Sequence, residues 1–497
     1  MIRGELRVAL AGIIALVTLV AFEAMAVSTA MPVVADELGG LRRYGLAFSL
    51  FLTASLLGTV LAGGWADARG PRAPVVAGLV AFAGGLVVCG TAPTFTVLLV
   101  GRAVSGLGGG LLVVSLYAVV GAVFSDEARP RVFAWISSAW VLPAVVGPLL
   151  AGWLAVAWSW RAVFLLVAPL AVVVGLVLLP RLAGVGVPAG RGGAGAGRAE
   201  PARAGLLSQR SRAVRGLGVA AGAGLAQAGA ADLVPLRWLP VATAVIGVVA
   251  VAVALPALLP AGTLRAARGL PSVIAVRGLM TAGFFGAESY VPLMLVLERD
   301  LPPALAGLAL TGAALGWTLG SALQGRADLP LDRSRLMAVG GLLVSVAVGL
   351  LVLPSLHLLP GLAVLGTWAV GGLGMGLTMS STSVLTLSLS PADLRGRNSA
   401  ALQLSDALGA VVGIGIAGAL FAARLGAAPD LHADLAGSAA GAPGGGTADG
   451  GATFALLFGG LCLFGLLASA TALRVRPAGG WEKEPGTGPG PASVAAP

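Results

Sequence analysis

The chain has 497 residues, of which 57% are hydrophobic and 10% charged, with a formal net charge of +10. Soluble domains carry about 25% charged residues, so this composition excludes a water-soluble globular chain and defines a membrane protein. The basic balance also suggests nucleic acid as a partner, but the placement of the arginines, taken up below, assigns it to topology and leaves nucleic acid out.

The first apolar run, 6–31, is longer than a signal-peptide core and is followed by many more, which marks it as a retained helix. Further spans are expected at 45–66, 73–92, 96–123, 132–157 and 162–179. A later set covers 272–297, 304–325, 336–353, 361–389, 398–423 and 453–473. Most approach or exceed the roughly 20 residues that cross a hydrocarbon core. Between the sets, 238–259 is a clear span and 213–231 a weaker one built mostly of Ala and Gly.

Orientation follows from the positive-inside rule. With the N-terminus in the cytoplasm, outer segments hold only Arg42, Arg43, Arg161, Arg237, Arg299 and Arg424. Arg102 alone is placed within a span, and the other basic residues, including Arg265, Arg268 and Arg277, fall in cytoplasmic segments. The basic segment from Arg181 and the one around Arg265 must therefore be joined by an even number of crossings. Since 238–259 spans, 213–231 should span too, which makes 14 helices with both termini cytoplasmic.

The expected organisation is a six-helix bundle at 1–180, a Gly/Ala/Arg-rich cytoplasmic linker at 181–212, two extra helices at 213–260, a second bundle at 261–476 and a disordered tail at 477–497. A mobile outer loop is expected before the last helix, over 436–452. The two bundles repeat one another. Gly58 recurs as Gly320 and Ala66-Asp67 as Ala327-Asp328, while Gly106-Leu107-Gly108 recurs as Gly372-Leu373-Gly374 at a shift of 266. The same shift superposes Glu127, Arg129 and Arg131 on Asp393, Arg395 and Arg397, and Gly147 and Gly152 on Gly413 and Gly418. Parallel repeats of this kind are a transporter architecture with the substrate site near the midplane.

Charge is concentrated in GGWADARGPR, Gly63 to Arg72. Its Gly63, Asp67, Gly70 and Arg72 match the Gly-x-x-x-Asp-x-x-Gly-x-Arg/Lys loop between helices 2 and 3 of the major facilitator superfamily, which the chain resembles over nearly its whole length. The extra central helices resemble that family's 14-helix drug:proton antiporter branch. Helix 5 adds Gly147, Pro148 and Gly152, which match part of the antiporter signature Gly-x-x-x-Gly-Pro-x-x-Gly-Gly, although Pro143 and Ala151 depart from it. The resemblance implies an all-α integral membrane fold and a cytoplasmic gating latch. In that latch Asp67 would accept hydrogen bonds at a neighbouring helix N-terminus and pair with arginine. Gly63 and Gly70 would allow close approach and a tight turn, and Asp328 would serve a weaker second copy. Pro148 should bend helix 5 at a seal that opens and closes.

An ionised side chain at a helix centre costs about 2.5–3.5 kcal/mol, so Glu23, Arg102, Glu288 and Asp406 each need a partner, a proton or a wet cavity. Glu23 lies nine residues before Pro32, where the antiporter branch often carries an acid. It is a candidate for proton coupling or cation recognition, with structural hydrogen bonding as the alternative. Arg102 precedes Gly106, Gly108, Gly109 and Gly110, which suit close helix packing. It is expected to pair with a bundle acid or to influence Glu23. Glu288 and Asp406 are candidates for the substrate cavity, with Trp140, Trp317, Trp368 and Phe285 as aromatic walls or as packing and lipid-facing residues.

The expected activity is export of hydrophobic or cationic small molecules in exchange for protons, with proton-coupled import as the alternative on the same fold. A membrane enzyme would need a nucleophile, base or metal cluster. His357 and His432, the only histidines, fall in outer loops without ligand spacing, and Cys89 and Cys462 each stand alone. No enzyme, metal or cofactor is expected. The partners are the lipid bilayer, protons and a small-molecule substrate, the chain acting as a monomer. Lys483 is the only lysine, an arginine bias that suits a GC-rich genome and hence a bacterial cytoplasmic membrane.

Overall fold

The computed structural model describes residues 3–125, 128–182, 199–230, 239–324, 332–391, 394–427 and 448–475. Among these residues the chain is helical, with no strand. The first half holds α1 (Arg3–Glu37), α2 (Leu46–Arg69), α3 (Arg72–Gly90), α4 (Phe95–Val123), α5 (Arg129–Leu154), α6 (Trp160–Leu165) and α7 (Val167–Leu178). Next come α8 (Ala199–Ala230) and α9 (Leu239–Ala254). The second half holds α10 (Leu270–Glu288), α11 (Val291–Leu297), α12 (Pro303–Gln324), α13 (Arg333–Leu350), α14 (Val352–Ser355), α15 (Ala363–Ser388), α16 (Arg395–Ala427) and α17 (Ala448–Ala472). Residues 183–198 of the expected linker, residues 428–447 with His432 and most of the expected outer loop, and the tail from residue 476 lie outside the described residues, as do Glu127 and Asp393.

Eleven helical stretches among the described residues are long and apolar enough to cross a membrane, and the protein is a multi-pass membrane protein. One stretch, Arg131–Leu182, is 52 residues long, far more than one crossing needs, and it folds back on itself. In α5, Gly147 lies against Phe22 and Met25, and Ala151 packs with Ala26 and Ala30, so α5 runs parallel to α1. The helix then passes through a π turn at Ala155–Ser159 and breaks at Ser159, whose backbone is extended. Trp160 and Arg161 hydrogen-bond the Glu37 carboxylate at the end of α1 (2.7 and 2.6 Å), whereas Leu178 packs beside Gly12 near its start. The second leg is therefore antiparallel to α1. The bundle thus has two faces, one carrying Glu37 and Arg161 and the other carrying Arg72.

Three expectations change here. α1 starts at Arg3 and continues through Pro32 to Glu37, longer at both ends than 6–31. Arg102 is not the only cation inside a span: Arg277, counted with the cytoplasmic residues although it falls within 272–297, sits two turns into α10. α17 begins at Ala448, inside the outer loop expected over 436–452.

The sequence repeat is a packing repeat. A Cβ at Gly58 of α2 would come within 2.3 Å of the Leu107 carbonyl oxygen of α4, and one at Gly320 of α12 within 2.3 Å of the Leu373 carbonyl oxygen of α15. No side chain fits either crossing, which explains why both glycines recur. Gly106 and Gly372 press in the same way onto the backbones at Phe51 and Ala313.

α8 lies along α2, with Gly216 beside Val60 and Gln227 donating a hydrogen bond to Thr53 (2.8 Å). α9 returns antiparallel to it, with Gly247 packed on the backbones of Gly222 and Ala226. Val219 and Ala220 of α8 fill a space between Leu56 of α2 and Leu408 of α16. At 16 residues α9 is shorter than the eleven long apolar stretches, and neither it nor α8 is among them.

Candidate functional site

The halves meet tightly near the Glu37 face at two crossings related by the repeat. In α5, a Cβ on Gly152 would lie 2.4 Å from the Cα of Ala304 in α12; one on Gly307 of α12 would lie 3.0 Å from the Pro148 Cβ. The Thr311 hydroxyl, one turn further along α12, donates to the Val145 carbonyl (3.2 Å). On the other side, Gly418 of α16 faces the Cα of Gly45 and the Tyr290 hydroxyl, and the Tyr44 and Tyr290 rings lie 5.2 Å apart. The helix-5 residues Gly147, Pro148 and Gly152 thus sit where α5 crosses the other half or α1. Gly152→Leu is expected to hold this end apart. Leu310→Cys, which lines the cavity described next, should then react faster with an impermeant maleimide applied from the Glu37 side.

Beyond Val145 and Thr311 the halves enclose a cavity of about 560 Å³. Met25 of α1, Trp140 and Ala144 of α5, Phe284, Phe285 and Glu288 of α10, and α12 from Leu310 to Ser321 line it. It extends toward the Arg72 face to within one turn of the α12 terminus. Phe284 stands edge-on to Phe285 (5.5 Å) and Trp317 (6.0 Å). Trp140, Trp317 and Phe285 are therefore cavity walls. Trp368 is not, because it is fully buried behind Phe284, stacked on that ring at 4.9 Å.

The four in-span charges have separate fates. Glu23 and Arg102, 1% and 2% exposed, form an ion pair between α1 and α4. Arg102 Nε also donates to the Ala47 carbonyl (2.8 Å), and its guanidinium lies 4.2 Å from the Phe51 ring centroid. Asp406 does not line the cavity; it accepts from Arg277 (2.7 Å), which also donates to the Met379 carbonyl and the Thr382 hydroxyl. Sequence reasoning missed this second pair because Arg277 reads as part of a cytoplasmic cluster. Glu288 has no ion-pair partner among the described residues, and its Oε2 is buried without a hydrogen bond. It ends α10, because Pro292 has no N–H for the Glu288 carbonyl and the helix restarts only at Val291. A helix C-terminus favours a cation, and a broken helix at mid-membrane is where transporters place substrate and ion sites.

In the α2–α3 loop, Gly70 has φ +80 and caps α2, a turn that suits glycine. Among the described residues Gly63 has nothing within 4 Å of an added Cβ, so no close approach is seen there. Arg72 is exposed at the first turn of α3; the side chain of Asp67 lies outside the described set, as does the whole of Asp328. Asp332, unremarked in the sequence, caps α13 by accepting from the Arg335 amide (2.9 Å).

At the Glu37 face, burial aided by the charge of Asp300 pushes the Glu298 carboxyl up to about 7. Glu298 is 1% exposed and touches Gly450 in the first turn of α17. Because its folded form holds the proton more tightly, stability should fall as pH rises from the ordinary carboxyl range through 7, then level off. Glu298→Gln should flatten that slope in thermal unfolding of the detergent-solubilised protein, with His357, whose ring bonds the Glu298 carbonyl (3.0 Å), common to both proteins.

Two similar helical halves closing on a cavity inside the membrane define a secondary transporter. The Major Facilitator Superfamily profile matches residues 13–414, and the chain belongs to that family. It is 27% identical over 417 residues to the multidrug transporter protein MdtP of Bacillus subtilis, covering 82% of this chain and 73% of that protein. It is 25% identical over 403 residues to a probable multidrug-efflux transporter of Mycobacterium tuberculosis, covering 78% and 82% respectively. Among solved structures, a peptide transporter POT in complex with sulfate aligns with a TM-score of 0.62 at 17% identity, covering 93% of this chain and 94% of that one. The protein is a transporter of small molecules and not an enzyme.

Proposed function

We propose that the chain is a 14-helix proton-coupled exporter of hydrophobic, cationic small molecules in a bacterial cytoplasmic membrane, with both termini in the cytoplasm. The observation that carries this reading is Glu288, a carboxyl without an ion partner in an aromatic-walled cavity between the halves. A lone charge in such a place is costly, so Glu288 holds either a proton or a cation. Aromatic faces add attraction for the cation, and the cavity lies within the usual range of about 300–1,000 Å³ for small-molecule sites. Loading the cation from the Arg72 face releases the proton to that side; rocking of the halves exposes the site to the Glu37 face, where a proton displaces the cation. The tight Gly152–Ala304 and Gly45–Gly418 crossings match a state closed toward the Glu37 face. Multidrug relatives support the substrate class, and the α8–α9 hairpin, which leaves and rejoins the bundle on the Arg72 face, supports the count of 14. Glu23 and Arg102 hold α1 to α4 beside the site. The Gly70 turn, Asp67, Arg72 and Asp328 serve as the latch.

Everted vesicles loaded with acid buffer test this directly. They should accumulate ethidium or tetraphenylphosphonium, and collapse of the pH gradient should release it. Accumulation that persists after collapse, or that appears only in right-side-out vesicles, overturns export by antiport.

A further inference from the structure

Glu288 borders two cavities, not one. On the side away from the aromatic cavity lies a chamber of about 100 Å³, bounded by Ser28, Phe51, Arg102, Phe285, Glu288 and Ser289 among others. It reaches toward the Glu37 face: Ser289 follows Glu288, Ser28 lies one turn beyond Met25, and the lining Phe48 packs on Tyr44 (5.3 Å), which packs on Tyr290 (5.2 Å). Met25, Phe285 and Glu288 line both spaces, and the Phe285 ring is the largest side chain of the partition between them.

We propose that this chamber is a water-filled proton antechamber, through which Glu288 is protonated by a route separate from the substrate's. The inference rests on the reading of Glu288 as the exchange site. The volume admits about three waters and excludes an aromatic substrate. The Ser28 and Ser289 hydroxyls donate to their own helices at Ala24 and Phe285, which leaves their oxygen lone pairs to accept from water. Arg102, fixed by Glu23 and by the Ala47 carbonyl, places a permanent positive charge on the wall. That charge repels a cationic substrate, while neutral water is admitted. Among the described residues Arg102, with Glu23 behind it, and Glu288 are the charged groups at the chamber; α1 also contributes Ala24 and Met25, α2 Phe48, Phe51 and Leu52, and α16 Ile414. In the step itself the Glu288 carboxylate takes a proton from a chamber water as that water takes one from the Glu37 side, so the water is restored and no free cation rests beside Arg102. The carboxylic acid later releases that proton into the aromatic cavity as the cation docks. Ser28 and Ser289 are positioning residues for the water, and neither lines the substrate cavity.

The test uses the full chain in proteoliposomes, with entrapped pyranine reporting proton uptake and tetraphenylphosphonium reporting binding. In the Ser28→Val/Ser289→Val variant, proton uptake should slow about tenfold, as the loss of one water hydrogen bond on the path would give, with tetraphenylphosphonium affinity unchanged. Uptake at the wild-type rate with intact binding overturns the antechamber. Should that variant lose binding through misfolding, Phe285→Ala decides instead. Joining the two spaces should produce a proton leak without substrate, and a tight bilayer in that variant overturns the proposal. Glu288→Gln in the same assay separates the two ideas. Normal proton uptake there removes the exchange-site reading itself, whereas loss of uptake there with a normal serine variant removes the antechamber alone.

Discussion

Glu288→Gln is expected to abolish gradient-driven accumulation of a lipophilic cation while leaving the protein folded. The amide keeps the volume of the carboxyl and ends α10 in the same way, so packing around Phe284 and Phe285 is undisturbed. It cannot carry a negative charge, so a cation in the cavity loses its counter-charge. A charge-assisted contact contributes about 1.5–3 kcal/mol, so tetraphenylphosphonium should bind about 10–100-fold more weakly. A neutral aromatic compound of similar size, held by the rings alone, should bind as before. Proton release on cation binding, measured in weakly buffered detergent solution, should vanish. Glu288→Asp should keep part of both signals, since the charge remains at a shorter reach. Equal weakening of charged and neutral ligands would mean that residue 288 shapes the cavity and exchanges nothing.

The sequence carries much of the fold but divides unevenly over the site. The span positions of the two bundles, the internal repeat and the Gly70 turn are local signals, and each reappears in the structure at or near its expected place, whereas 213–231 and 238–259 return as helices outside the long apolar stretches. The repeated glycines were legible because a helix crossing with no room for a side chain leaves the same mark in both halves, as at Gly58 and Gly320. The fate of the buried charges was legible only in part: Arg102 was expected to pair with a bundle acid or to influence Glu23, but which acid would keep no ion partner was hidden. Glu23 and Glu288 look alike in sequence, each an acid in an apolar helix some residues before a proline. What separates them is Arg102, 79 positions from Glu23, and the break at Pro292, which Pro32 does not reproduce in the continuous α1. Asp406 likewise looks like a cavity acid until Arg277, 129 positions away, is seen beside it. The shift of 266 places Trp368 where the first half has Arg102, and the proline match places Gly283 opposite Glu23. The first half thus fills that layer with an ion pair, the second with the Phe284–Trp368 stack, and the free carboxyl is displaced to the end of α10.

This asymmetry leads to the other large effect. Arg102→Leu should destabilise the protein severely, because it strands the Glu23 carboxylate among apolar side chains and leaves the Ala47 carbonyl without its donor. Removing one partner of a buried ion pair costs about 3–5 kcal/mol, whereas replacing both with apolar residues is often neutral. At roughly 2 °C per kcal/mol for a large chain, the thermal midpoint in detergent should fall by several degrees. The double variant Arg102→Leu/Glu23→Leu should recover most of that loss, since the remaining defect is the unmet carbonyl. Recovery of stability separates two roles of the pair. If it only braces α1 against α4, the double variant transports normally. If Arg102 also keeps cations out of the chamber beside Glu288, the double variant is stable but leaks tetraphenylphosphonium or protons across Phe285. Arg102→Lys then completes the series: one ammonium replaces a guanidinium that contacts both Glu23 and the Ala47 carbonyl, so exclusion of cations should return before full stability does.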